Sequence, residues 1–200
     1  MICYTLDAAK EAAEPGDEIC VSTDDQEIIE VVEEYGFQVP FKRPDELAGD
    51  HSTTQEVIDH AVNWYRKKDI TFDTVILLQP TSPLRTGIHV KEALQLWSPN
   101  VDMVVSVKET DANPYYVLFE DDEAGYLQKS KDGDFTRRQD CPKVWELNGA
   151  IYIFKVKDGE PVPAIEAKRK VKYVMDKWSS VDVDDEVDLL TIESIIRMNN

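Results

Sequence analysis

Two aspartates stand one residue apart in the run Ser179-Ser180-Val181-Asp182-Val183-Asp184-Asp185. In extended chain, alternate side chains share a face, so the carboxylates of Asp182 and Asp184 converge. Two such carboxylates at a strand end, just ahead of a helix, suit a Mg²⁺ site. The same run also reads as a helix N-cap by Asp184 or Asp185 with solvated neighbours. The pattern alone leaves both readings open.

The cations worth weighing are few. Arg137-Arg138-Gln139 offers paired guanidinium groups that bind a carboxylate or phosphate through forked hydrogen bonds, or make surface ion pairs with the many acids nearby. Trp145-Glu146-Leu147-Asn148-Gly149 follows, and its Asn-Gly pair is either part of a site or only a turn. Arg43-Pro44-Asp45-Glu46-Leu47-Ala48-Gly49-Asp50, with Thr53-Thr54 beyond it, forms a loop after a strand candidate, on the presumed ligand side. There is no Walker A segment and no Gly-x-Gly-x-x-Gly. His51, His60 and His89 lack metal-ligand spacing, and no Ser or Cys nucleophile arrangement is present.

The elements that must position these groups centre on Val75-Ile76-Leu77-Leu78-Gln79-Pro80-Thr81-Ser82-Pro83-Leu84-Arg85-Thr86. Its apolar run has the length and residue types of a strand buried on both faces. Pro80 and Pro83 then forbid regular pairing and force a fixed loop. Ligands of open α/β sheets bind at the carboxyl ends of strands, which is where Gln79 to Arg85 would sit; a plain βα turn is the alternative.

Around this stretch the spacing predicts helices over 2–13, after Asp24-Asp25, from Ser52 or Thr53 to about Lys68, over 87–97 and over 185–198. Strands are predicted over 18–23, 37–41, 101–107, 149–154 and 172–175. Strand–helix alternation implies an α/β fold with a largely parallel sheet covered on both faces. The alternation breaks after Val107. Residues 113–145 read as one or two hairpins standing off a body formed by 1–112 and 146–200, an excursion that serves an interface or a lid.

Composition sets the outer bounds. Two hundred residues suffice for one well-buried domain with a small appendage. A charge of −18, from 22 Lys+Arg against 40 Asp+Glu, repels nucleic acid and anionic membranes. An anionic substrate therefore needs a local basic pocket or a metal ion. No apolar run reaches the roughly 20 residues of a membrane span, and no signal peptide is read. Three widely spaced cysteines argue against a disulfide framework and fit a reducing cytoplasm.

Taken together, the pieces resemble the acylneuraminate cytidylyltransferases, or CMP-sialic acid synthetases, over essentially the whole chain. Leu77-Leu78-Gln79-Pro80-Thr81-Ser82-Pro83-Leu84-Arg85 looks like the family's most recognisable motif. Val21-Ser22-Thr23-Asp24, Arg43-Pro44-x-Glu46-Leu47-Ala48, Arg137-Arg138-Gln139, Asn148-Gly149-Ala150-Ile151-Tyr152-Ile153 and Asp182-x-Asp184 fall in the family's order. A branch that activates ketodeoxyoctonate is less similar at the Gln79 loop. The resemblance implies a three-layer, Rossmann-like nucleotidyltransferase sheet, mostly parallel, with a β-hairpin dimerisation insert that reaches into the partner's site. It implies that a nonulosonic acid attacks the α-phosphate of CTP with Mg²⁺ held by Asp182 and Asp184. It places Gln79, Arg138 and Tyr152 on the sugar acid, and Arg43, Thr54 and Asn148 on the nucleotide and neighbouring sugar surface. Relatives often carry Ser where this chain has Thr54. They also begin with a strand and a Gly-, Arg-, Ser- and Lys-rich loop around the CTP phosphates, whereas this sequence opens on the helix that follows. The resulting expectations are an enzyme of that family, or a non-catalytic homolog that dimerises and binds the sugar acid without turnover. A generic nucleotide-sugar binding domain would not explain the co-occurring motifs.

Overall fold

The computed structural model describes residues 1–49 and 51–199. Asp50, the last residue of the Arg43 loop read above, lies outside them. Side-chain caps mark two of the helix starts, while the first helix has none. Helix α1 (Ile2–Ala12) precedes α2 (Gln26–Glu34), whose first turn is capped by the Asp25 carboxylate accepting from the amides of Glu27 and Ile28. Helix α3 (Thr54–Arg66) starts with a reciprocal box: Thr53 accepts from the Glu56 amide while Glu56 accepts from the Thr53 amide.

Strand β1 (Thr74–Leu78) and α4 (Gly87–Gln95) bracket the Gln79 loop. Strand β2 (Met103–Glu109) is followed by the short strands β3 (Phe119–Asp121) and β4 (Leu127–Lys129). The long β5 (Trp145–Lys157), the two-residue β6 (Glu160–Pro161), β7 (Lys170–Val174) and α5 (Glu186–Asn199) complete the chain.

The main sheet has the order β1-β5-β2-β7, with β6 attached to β5. Strands β1, β2 and β7 run in one direction and β5 runs against them, because its ladders with β1 and β2 are antiparallel while β2·β7 is parallel. The sheet is thus mostly parallel in direction, though its long central strand is not. Alternation along the strands divides the core in two. Val104, Ile151 and Ile153 pack with Ala12, Val90 and Ala93 on one face. Met103, Val105 and Phe154 pack with Ile58 and Val62 of α3 on the other. This is the expected helix–sheet–helix sandwich.

Three expectations need correction. The 18–23 and 37–41 segments form no ladder; a single parallel bridge joins Thr23 to Lys42, the residue just past the second segment. Their apolar residues serve packing instead, with Val21 joining Leu6 and Val32 in a third small core. Strand β1 is not buried on both faces. It has one ladder partner, and Ile76 is 36% exposed, since an apolar run alone does not distinguish a sheet's centre from its edge.

The excursion after β2 is a hairpin, β3–β4, paired only with itself. Its base is tied by Asn113. The side-chain amide donates to the Pro142 carbonyl at 2.9 Å and its Oδ1 accepts from the Tyr115 amide. One buried side chain thereby joins the outgoing and returning strands of the insert.

Candidate active site

The Gln79 loop is held from below by Arg85. This guanidinium is 2% exposed, donating through Nη2 to the Thr5 hydroxyl and to the Gln79 carbonyl. Its Nε and Nη1 have no partner among the described residues, and burial lowers its pKa to about 10. The loop also grips the aspartate segment. The Val183 amide donates to the Thr81 carbonyl at 2.9 Å, and the Ser82 hydroxyl donates to Asp182 Oδ1 at 3.1 Å. The two stretches first singled out in the sequence therefore lie against each other.

The N-cap alternative is resolved by geometry. Asp185 Oδ1 accepts from the amides of Val187 and Asp188, so Asp185 begins α5. Asp182 and Asp184 are left free of that duty and both line a cleft of about 500 Å³.

Strand β5 supplies the third element, packed behind the aspartate segment. Between the pairs Val105↔Tyr152 and Val107↔Leu147, the residues 148–151 face Ser106 alone. This is a bulge, the device by which a strand re-aims side chains near a site. Ser106, 1% exposed, fills it: its hydroxyl contacts Asn148 Oδ1 at 2.6 Å and accepts from the Ile151 amide at 2.7 Å. Asn148 is itself buried, and its Nδ2 donates to the Ser180 hydroxyl at 2.9 Å. The network ties β2, the β5 bulge and the segment leading to Asp182 into one unit.

The bulge presents Gly149 to the aspartate. Gly149 has φ +76°. A Cβ there would lie 3.1 Å from Asp182 Oδ2 and 3.3 Å from Gln79 Oε1. Gly149 is thus a seat against which the predicted Asp182 and Gln79 meet. Tyr152 lies near them; burial first, then the Asp182 charge, raises its phenol pKa.

The other predicted residues fall elsewhere. Arg43 donates from Nε and Nη2 to Asp24 Oδ1, which holds that carboxyl below its usual range. Thr54 is exposed on the first turn of α3. Neither lines the cleft, and of the predicted residues only Asp182 and Asp184 do. Arg138, on the insert, pairs with Asp111, which does line it. The side-chain amide of Asn148 is engaged inside the protein rather than facing the cleft.

Sequence reasoning passed over Ser82, Ser106, Ser180, Asp111 and Lys177. The buried serines carry no pattern that marks them before the bulge is known. Asp111 and Lys177 are single charges among many.

The donor set at the cleft fits a magnesium ion only in part. Asp182 and Asp184 supply two carboxylates, and among the described residues no group of three or more His, Cys, Asp or Glu could hold a metal. Two carboxylates suffice for Mg²⁺ where substrate phosphates and waters complete the shell.

A family model described as cytidylyltransferase matches residues 1–189. A post-translational flagellin modification protein B of Campylobacter coli is 33% identical over the whole chain, which covers 85% of that protein. A CMP-N,N'-diacetyllegionaminic acid synthase of Legionella pneumophila is 28% identical, again over the whole chain and 86% of its own length. An N-acylneuraminate cytidylyltransferase of Streptococcus agalactiae is 32% identical over 96% of the chain, but only 46% of that protein is covered. Among solved structures, a CMP:2-keto-3-deoxy-manno-octonic acid synthetase complexed with CTP superposes with a TM-score of 0.62, covering 98% of this chain and 88% of that one. At 16% identity it speaks for the fold alone. With the family model spanning nearly every element described above, the chain belongs to the cytidylyltransferase family.

Proposed function

We propose that the protein joins a sialic-type nonulosonic acid to CTP, giving the CMP-sugar and pyrophosphate. The observation that carries this is the meeting of Asp182 and Gln79 at Gly149, with Asp182 and Asp184 together lining the adjoining cleft. Relatives whose names record CMP-legionaminic acid synthase and N-acylneuraminate cytidylyltransferase activity give the substrate class. In the reaction the anomeric hydroxyl oxygen bonds to the α-phosphorus, the bond from that phosphorus to the oxygen bridging the α- and β-phosphates breaks, pyrophosphate leaves with that oxygen, and the hydroxyl proton passes to solvent.

The chain's residues divide the work. Asp182 and Asp184 would hold Mg²⁺, which when bound supplies charge neutralisation at the phosphoryl oxygens. Ser82 fixes the Asp182 carboxylate by its hydrogen bond. Gln79 and Tyr152 orient the sugar acid beside it, and Arg138 suits its carboxylate.

The same reading gives the protein a homodimeric form and a cytoplasmic setting. The hairpin insert supports the first, since Phe119, Tyr126 and Leu127 are exposed on it. Three unpaired cysteines support the second. No described helix is long and apolar enough to cross a membrane.

The test is pyrophosphate release on incubation with CTP, Mg²⁺ and N-acetylneuraminate, with legionaminic and pseudaminic acids as further acceptors. Release that requires both CTP and a sugar acid is the expected result. Binding of the acid with no release from any of them would reject turnover and leave a sugar-acid binding protein.

A further inference from the structure

The Gln79 loop has little to hold it from within. Pro80 and Pro83 have no amide hydrogen to give. The turn bonds inside it are long, from the Ser82 amide to the Gln79 carbonyl at 3.4 Å and from the Arg85 amide to the Ser82 carbonyl at 3.3 Å. Its place is therefore set by anchors outside it. Thr81 and Ser82 hold its middle against the aspartate segment, and the Arg85 guanidinium reaches back to the Gln79 carbonyl. Its exit, where Thr86 passes into α4, is held by two further acceptors. Glu11 of α1 accepts from the Gly87 amide at 3.1 Å, and Nδ1 of His89 accepts from the Thr86 amide at 3.1 Å.

His89 stands where the box at α3 uses an acid. There Glu56 takes the Thr53 amide; at α4 the residue three places on is an imidazole. A carboxylate accepts throughout the neutral range. A histidine nitrogen accepts only while it carries no proton, so this bond requires the neutral ring with its hydrogen on Nε2. Protonation would turn Nδ1 into a donor facing another donor, and the loop's exit would lose that tie. The groups around the ring are of both signs. Arg85 faces it from the loop, Glu11 from α1, Glu92 from α4, and Tyr173 and Asp176 from β7 and the turn after it. Burial is the largest influence and lowers the ring's pKa, which keeps the cap intact at neutral pH; Asp176, Glu92 and Glu11 oppose it and Arg85 reinforces it.

We propose that His89 is a positioning residue for sugar-acid binding: by holding Thr86 it fixes the loop that carries Gln79, and it does so only as the neutral imidazole. The path is short. Thr86 follows Arg85, whose guanidinium meets the Gln79 carbonyl, so freedom at the loop's exit reaches Gln79 through one side chain. The effect falls on the sugar acid rather than the nucleotide, because Arg43 and Thr54, the residues expected on the nucleotide, lie on other segments. The inference rests on the sugar-acid reading above.

Two variants separate this from a histidine that merely packs. His89→Gln keeps an acceptor that does not titrate, as in the usual box, and His89→Ala removes it. In calorimetric titration with N-acetylneuraminate at about pH 7.5, His89→Gln should bind within about twofold of wild type and His89→Ala about three- to fivefold more weakly, the scale of one lost cap. CTP affinity at that pH should stay within about twofold in both, since the nucleotide residues lie on other segments. On lowering the pH to about 5, where the acid's own carboxylate stays ionised, wild type should lose about three- to fivefold relative to His89→Gln. Wild type and His89→Gln declining together, or His89→Ala binding the acid as wild type does, overturns the proposal. Equal weakening for acid and CTP in His89→Ala would show a general loss of structure and overturn it likewise. The Thr86 amide gives a readout that needs no ligand. Its protection from hydrogen exchange, referred to the intrinsic rate at each pH, should fall about fivefold from pH 7.5 to 5 in wild type and hold in His89→Gln. That pattern with no acid bound by any form would reject the sugar-acid reading and leave the cap standing, while equal protection in the two proteins at pH 5 would reject the cap itself.

Discussion

At the scale of single residues, Gly149 concentrates the site's demands. Its φ of +76° lies where an L side chain is strained by about 1–2 kcal/mol. Its missing Cβ leaves room for Asp182 Oδ2 and Gln79 Oε1, which would otherwise be met at 3.1 and 3.3 Å. Gly149→Ala should therefore destabilise the protein by about 1–2 kcal/mol in denaturant unfolding. It should also cut kcat at least tenfold, because both oxygens must give way. The ordinary gain from replacing glycine, a less flexible unfolded chain, would appear as a small stabilisation instead and would contradict the seat assigned here. The sequence showed Asn148-Gly149 only as a possible turn. What hid its role is that the two groups it accommodates lie about 70 residues upstream and about 30 downstream, a closeness created by the fold.

At the scale of elements, the helices were legible and the sheet was less so. Asp25 and Thr53 cap where their residue types predicted, because capping is settled within four residues. Strand pairing is not local. The apolar runs at 18–23 and 37–41 look like strands yet yield one bridge, from Thr23 to Lys42 just past the second run, and the β1 run cannot announce that it has a single neighbour. The bulge in β5 is legible in neither its residues nor their period. Its upkeep falls to Asn148, which the family resemblance placed on the substrate and the structure buries. The two roles predict different outcomes for Asn148→Ala. As a substrate contact, the variant would raise KM with stability unchanged. As the tie between Ser106 and Ser180, it leaves buried polar groups unpaired and should cost about 2–3 kcal/mol in unfolding free energy. A lowered kcat should follow, because the bulge carries Gly149. Unaltered stability with a raised KM would return Asn148 to the substrate wall.

At the scale of the molecule, two electrostatic effects oppose each other as pH changes. The chain carries −18 at neutral pH with an isoelectric point near 4.5, so its compact state is strained by self-repulsion. Lowering the pH towards 5 removes charge and relieves that strain. Specific ion pairs act in the other direction. Hydrogen bonds from Arg43 to Asp24 and from Arg169 to Asp102 hold those carboxyls below their usual range, as Lys177 does for Asp111. A carboxyl whose pKa is depressed on folding contributes stability that is fully present above the unfolded value, about 3.9 for Asp, and is lost as pH falls through the folded value. These pairs therefore survive the whole descent from pH 8 to 5 and fail only below about 4. The melting temperature should accordingly rise from pH 8 to about pH 5 and then fall steeply. Raising NaCl from about 0.02 to 0.5 M at pH 8 should reproduce most of the first rise, since the Debye length shrinks from about 20 Å to about 4 Å and long-range repulsion is screened before close contacts are. At pH 5, where little net repulsion is left, the same salt should change the melting temperature far less. Equal salt effects at the two pH values would show that the acid pairs, and not the net charge, set the stability of this protein near neutrality.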